Sequence, residues 1–219
     1  MQLFERRANT IFWTVVLIGM GVIISLIFLA YMMPRRDAAW RVGEPAPQPV
    51  PFSHDHHVGG LGLDCRYCHT SVTRAAFAGM PSAETCMSCH SQVWTAAAVL
   101  EPIRRSLETG QPIGWRVMHD VPAFAYFHHG VHVAGGVACE TCHGRVDLMP
   151  QTVKVETLSM GWCLQCHRNP APHLRPKEAV FAMGWTGPDR AGADAAGWRR
   201  EPFDAHAVRQ LTDCSTCHR

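Results

Sequence analysis

From Ile11 to Met33 the chain reads IFWTVVLIGMGVIISLIFLAYMM, twenty-three residues without a charge. At a rise of about 1.5 Å per residue, a helix of this length crosses a hydrocarbon core of about 30 Å with some tilt. Arg6 and Arg7 precede the run, Pro34, Arg35 and Arg36 end it, and Trp13 and Tyr31 stand near its ends, where amphipathic rings prefer to lie. A cleaved leader carries a shorter apolar region, about 7–15 residues, followed by a small-x-small site. No such A-x-A site follows Leu29, so the pattern predicts an uncleaved transmembrane anchor over residues 1–33. Gly21 and Ser25 form a small-xxx-small pair that could pack on another helix, a weak signal by itself.

Behind the anchor the pattern changes. Residues 34–51, PRRDAAWRVGEPAPQPVP, repeat proline too often for a helix and predict an extended spacer. Over residues 52–219 long apolar stretches are few, and a region of that kind buries little core from side chains alone. The expectation is a mainly α and irregular fold whose interior is filled by something other than side chains. The formal charge of +2, with no basic stripe, gives no reason to expect a nucleic-acid partner.

Ten cysteines and fourteen histidines supply the missing element. Every cysteine belongs to a pair with two residues between its members, a loop too small for a useful disulfide staple. A histidine follows each pair, in CRYCH (Cys65, Cys68, His69), CMSCH (Cys86, Cys89, His90), CETCH (Cys139, Cys142, His143), CLQCH (Cys163, Cys166, His167) and CSTCH (Cys214, Cys217, His218). C-x-x-C-H is the attachment signature of c-type haem. Two thiols on one helical turn add to the two vinyl groups of one porphyrin, and the adjacent imidazole falls under the iron. Zinc sites and thioredoxin-like pairs require no histidine at that position, and five such placements by chance have odds of about one in a million. The chain is therefore expected to be a multihaem c-type cytochrome with five covalent haems forming its core. Haem attachment takes place outside the bacterial cytoplasmic membrane, which puts the bulk of the chain on the periplasmic side of a single-pass inner-membrane anchor with Met1 inside.

Nine histidines remain as second iron ligands: His54, His56, His57, His119, His128, His129, His132, His173 and His206. A repeat selects among them. Phe52–Val58 and Phe127–Val133 both read F-x-H-x-x-H-V, each leading through a glycine-containing stretch to a C-x-x-C-H and then to a second one. The unit is two haems and a histidine pair used twice, over residues 52–100 and 119–170, with a fifth haem at 202–219. Paired histidines three apart share one side of a helical turn. They are similar to the distal ligands of small cytochromes of the c3 and c7 type, which makes His54, His57, His129 and His132 the distal candidates. His56 and His128 have no counterpart between the copies and are expected to be bystanders. For the fifth iron His119 is the choice, with His173, His206, Met160 and Met183 as alternatives; the bland reading of the methionines is gap-filling.

The strings FSHDHHVGGLGLDCRYCH (52–69), AGMPSAETCMSCH (78–90), YFHHGVHVAGGVACETCHGRVDLM (126–149) and LSMGWCLQCHRNP (158–170) resemble the pentahaem cytochrome subunit of alternative complex III. The stretch 171–213 is the least distinctive and reads as surface covering. The resemblance implies an electron-transfer subunit of a membrane quinol-oxidising complex, respiratory or photosynthetic. It implies an iron–sulfur subunit and polytopic membrane subunits as partners, and a periplasmic monohaem cytochrome or a terminal oxidase as acceptor. The quinol site lies chiefly in those partners, so no catalytic residue is expected here. A membrane-anchored quinol dehydrogenase touching quinol itself is the first rival, but the thirty-one residues between Met33 and Cys65 are more than such chains use. A multihaem reductase needs an open iron, for which no variant motif such as C-x-x-C-K appears. A free-standing periplasmic wire is the third.

Overall fold

The computed structural model describes residues 5–186 and 211–218. The chain divides into two compact units, residues 1–42 and 43–219.

The first unit is built on α1, Arg6–Met32, along which no side chain is buried. A helix apolar all round and packed on nothing suits a lipid environment; α1 is long and apolar enough to cross a membrane. Pro34 cannot continue it, and the backbone tightens into 3-10 turns at Met33–Arg35 and Asp37–Trp40. The Trp40 indole N–H donates to the Pro34 carbonyl at 2.7 Å, and the Arg35 guanidinium folds back over the Tyr31 ring, 3.5 Å from its centre.

The stretch expected to be an extended spacer is thus wound at its start, and its second half is packed. Pro45 bridges to Val153, and Ala46 and Val50 are only 6% and 4% exposed. Val50 joins Ala83, Leu100 and Ile103 in a small buried cluster. Prolines around these apolar residues limit the conformational entropy the strap loses on docking.

The second unit contains α2 (Cys65–Cys68), α3 (Ala83–His90), α4 (Glu101–Thr109), α5 (His129–Ala134), α6 (Cys139–His143), α7 (Met160–Arg168) and α8 (Cys214–Cys217), with one π-helical turn at Asp55–Gly60. Among the described residues there is no strand, only three isolated bridges. The mainly helical and irregular fold expected from the sequence is the one observed. Among the described residues the largest fully buried side chain is Val180, so the side-chain core there is as meagre as the composition implied.

Candidate haem attachment sites

Each C-x-x-C-H lies in a helical turn or short helix entered from an extended residue, Asp64, Ala138 and Asp213 directly before the first cysteine and Ser82 and Ser159 four residues ahead of it. The Asp64 carboxylate accepts from the Arg66 amide, and the Ser159 hydroxyl accepts from the Trp162 amide, satisfying donors that a helix start leaves open. At the first, second and fifth motifs the closing histidine is oriented by a backbone carbonyl. Nδ1 donates to Gly79 O from His69 (2.7 Å), to Val93 O from His90 (3.1 Å) and to Phe124 O from His218 (3.0 Å). A proton held on Nδ1 leaves the Nε2 lone pair for a metal.

The histidine pairs are oriented in the same way. His57 Nδ1 donates to Ser53 O (2.8 Å), His132 Nδ1 to His128 O (2.9 Å) and His129 Nδ1 to Ala76 O (2.7 Å), while His54 Nδ1 is hydrogen-bonded to the Thr152 hydroxyl (2.9 Å). Three of the four face a motif histidine at closely similar separations. Ring centroids lie 6.2 Å apart for His57 and His90, 6.3 Å for His129 and His143, and 6.1 Å for His132 and His167. Two imidazoles on opposite sides of one metal, each nitrogen about 2.0–2.1 Å from it, place their centroids about 6–6.5 Å apart. The spacing fits an iron between the rings and is too wide for stacking. His69 in turn lies close enough to His54 to influence its protonation. These residues fit haem.

The sequence repeat is a structural one, and the copies exchange partners. The Asp55 amide donates to the Met149 carbonyl (3.1 Å), and the Gly130 amide donates to the Ala75 carbonyl (3.2 Å). Asp55 and Gly130 each follow the first histidine of a pair; Ala75 and Met149 each lie six residues past the first motif histidine of a copy. Each histidine segment therefore docks on the loop behind the other copy's motif. The aromatic contacts repeat too. Phe52 meets His54 at 4.8 Å and 88° and His57 at 4.4 Å and 27°; Phe127 meets His129 at 4.7 Å and 88° and His132 at 4.4 Å and 31°.

Burial keeps several of these imidazoles neutral. It drives His143 down to about 3, helped by His119 and His129, and His54 down to about 4, helped by His69 and His57; His132 is lowered mainly by burial as well. Only neutral imidazole ligates metal, so the shifts suit the role. Contact with Cys139 draws the free Cys65 thiol down to about 7 and pushes Cys139 up, while burial raises Cys142 to about 12.

His119 sits against His143, ring centroids 4.2 Å apart, too close for one iron between them. Its Nε2 is buried and has no hydrogen-bond partner among the described residues, and burial together with Lys154 and His129 lowers it to about 4. His56 and His173 are exposed, and His128 accepts from the Val131 amide at the start of α5. Met160 is 64% exposed. His206 lies outside the described residues, as does most of 202–219 ahead of α8.

Sequence reasoning missed the orienting acceptors, because a backbone carbonyl carries no residue signature. It also missed Lys154, 7% exposed beside His119, and the clamp on the third motif. There the Cys139 amide donates to the Val180 carbonyl, and Arg175 pairs with Glu140, whose carboxylate also accepts from the Gly184 amide (2.6 Å).

Residues 50–102 match the family model described as cytochrome c7 and related cytochrome c. The chain is also similar to the menaquinone reductase, multihaem cytochrome c subunit, of Nitratidesulfovibrio vulgaris strain Hildenborough: 29% identical over 170 residues, covering 68% of this chain and 79% of the relative.

Proposed function

For this multihaem c-type cytochrome with its cytochrome c7-like domain, we propose the role of electron-transfer subunit in a membrane quinol-oxidising complex of the alternative complex III type, with a covalent haem at each of its five motifs. When bound, each haem supplies a one-electron ferric/ferrous couple. The facing imidazoles at 6.1–6.3 Å carry the reading: a site with a side chain on both faces of the iron leaves no position for a substrate. His54 with His69, His57 with His90, His129 with His143, and His132 with His167 would hold the irons of the first four sites. His218 serves the fifth site; His119, expected from the sequence as its second ligand, packs instead on His143, 4.2 Å between ring centroids, and is not assigned to that iron. The ten motif cysteines would hold the haems through thioether bonds.

α1 anchors the chain in the cytoplasmic membrane, and the haem-bearing unit lies on the periplasmic side. An iron–sulfur subunit and polytopic membrane subunits complete the complex, and a monohaem cytochrome or terminal oxidase takes the electrons. The name of the relative favours a second reading, in which electrons run the other way, from haem to quinone. The test is to purify the chain from native membranes in mild detergent and add menaquinol. Reduction of its haems, with iron–sulfur and polytopic subunits co-purifying, is the expected result. Haems that ignore quinol but pass electrons to quinone would establish the second reading, and a chain that purifies alone would sink both. Carbon monoxide should barely alter the reduced spectrum; strong binding at one site would reveal an open iron.

A further inference from the structure

We infer that the five attachment sites form one unbranched row that departs from sequence order: 86–90, 65–69, 139–143, 163–167, 214–218. The inference rests on the axial-ligand reading above and goes beyond it by fixing which sites are neighbours and which two are ends.

Four contacts make the row. Between the first two sites, the Tyr67 hydroxyl and the Ser88 hydroxyl, each inside a C-x-x-C, are hydrogen-bonded at 2.6 Å. The central contact joins the copies: Arg66 stacks on Phe181, 4.5 Å from the ring centre, while the neighbouring Val180 carbonyl accepts from the Cys139 amide. One short segment thus spans sites 65–69 and 139–143. The third contact is the single turn of α5, which presents His129 to His143 and His132 to His167. The fourth joins the last two sites. Ala125 bridges to His218, the Tyr126 amide donates to the Cys217 carbonyl (2.8 Å), and Phe127, next along, packs on His132.

The exchange between the repeat copies explains why sequence order fails. Because each histidine segment docks on the other copy's loop, the first motifs of both copies meet at the centre and the second motifs are turned outward. Site 163–167 then receives the fifth site, and site 86–90 is left as an end. Trp94, whose ring lies 6.5 Å from that of His90, is 66% exposed there. A one-electron donor and a one-electron acceptor would meet this chain at its two ends, with one iron oxidised for each one reduced and no bond made or broken.

The test uses the haem-loaded full chain in detergent, with His57→Met and His54→Met made separately. Each substitution replaces one imidazole by a thioether and raises that iron's potential, so it is reduced first. A reduced iron makes its immediate neighbours harder to reduce through unscreened charge. In potentiometric titrations followed haem by haem, His57→Met should lower one other midpoint, by about tenfold in the reduction equilibrium or 59 mV for one electron. His54→Met should lower two. A row in sequence order gives the reverse, two and one, and would overturn the inference. Absence of a methionine-ligated haem in either variant would instead overturn the axial-ligand reading. Should either variant fail to load haem, a density map of the unsubstituted chain decides, since each haem is identified by its cysteines. The inference stands if site 65–69 lies between 86–90 and 139–143, and falls if 86–90 is the nearer neighbour of 139–143.

Discussion

Adjacent histidines with opposite environments make the residue-level claim sharpest. His56 is exposed, whereas His57 donates Nδ1–H to Ser53 O and faces His90 across 6.2 Å. His57→Ala should leave one haem of the loaded protein high-spin, visible by electron paramagnetic resonance, and His56→Ala should leave the spectrum unchanged. The opposite pattern would mean the two repeat copies are misaligned, and His129 and His132 would lose their roles with His57. Protonation belongs to this scale as well. Burial, the main cause, holds His143 down to about 3 and His54 and His119 down to about 4, and iron on the ligating imidazoles would keep protons off them further still. An unfolded chain takes the same protons near pH 6.5. Between about 6.5 and 4 the unfolded state therefore binds more protons, and stability falls as pH falls. Thermal midpoints should be flat above pH 7 and drop through that window; a midpoint that rises on acidification would contradict the assignment. The four paired histidines were legible because a repeat marks them twice. The carbonyls that orient three of them were not, since any residue supplies the same oxygen.

Between elements, two glycines let the copies interlock. A Cβ on Gly130 in α5 would come 2.9 Å from the Arg74 nitrogen and 3.0 Å from the Thr73 carbonyl carbon; one on Gly59 would press on the Asp147 carbonyl oxygen. These are backbone atoms that cannot swing aside. Alanine raises helix propensity by about 1 kcal/mol, but overpacking of this kind costs about 1–3 kcal/mol. Gly130→Ala should be net destabilising by up to about 2 kcal/mol, lowering the thermal midpoint. Gly21→Ala in α1, where nothing lies within 4 Å of the added carbon, is the control and should change the midpoint little. No loss in Gly130→Ala would mean that α5 and the 73–76 loop are not held together as described. The repeat announced two equivalent units, yet their mutual docking was invisible in the sequence, because it runs through main-chain bonds such as Asp55 to Met149. Proline likewise signalled the absence of helix in 34–51 without revealing that Ala46 and Val50 are packed.

For the whole molecule, the side-chain core is thin. Among the described residues the fully buried ones are no larger than Val180, and α1 buries nothing. On the proposed reading such a chain takes its interior from its prosthetic groups and its anchor from lipid, and the cysteine spacing and the one uncharged run pointed to both. Whether the fifth motif joins the others was not readable, because CSTCH lacks a histidine pair ahead of it. The structure supplies the link through Ala125 and His218. Five covalent haems on one anchored chain is the central claim, and intact-mass spectrometry of the protein purified from membranes tests it most directly. The account predicts the mass of the chain, with α1 retained, plus five haems. A mass corresponding to four haems or fewer, or to a chain beginning after the apolar run, would contradict it.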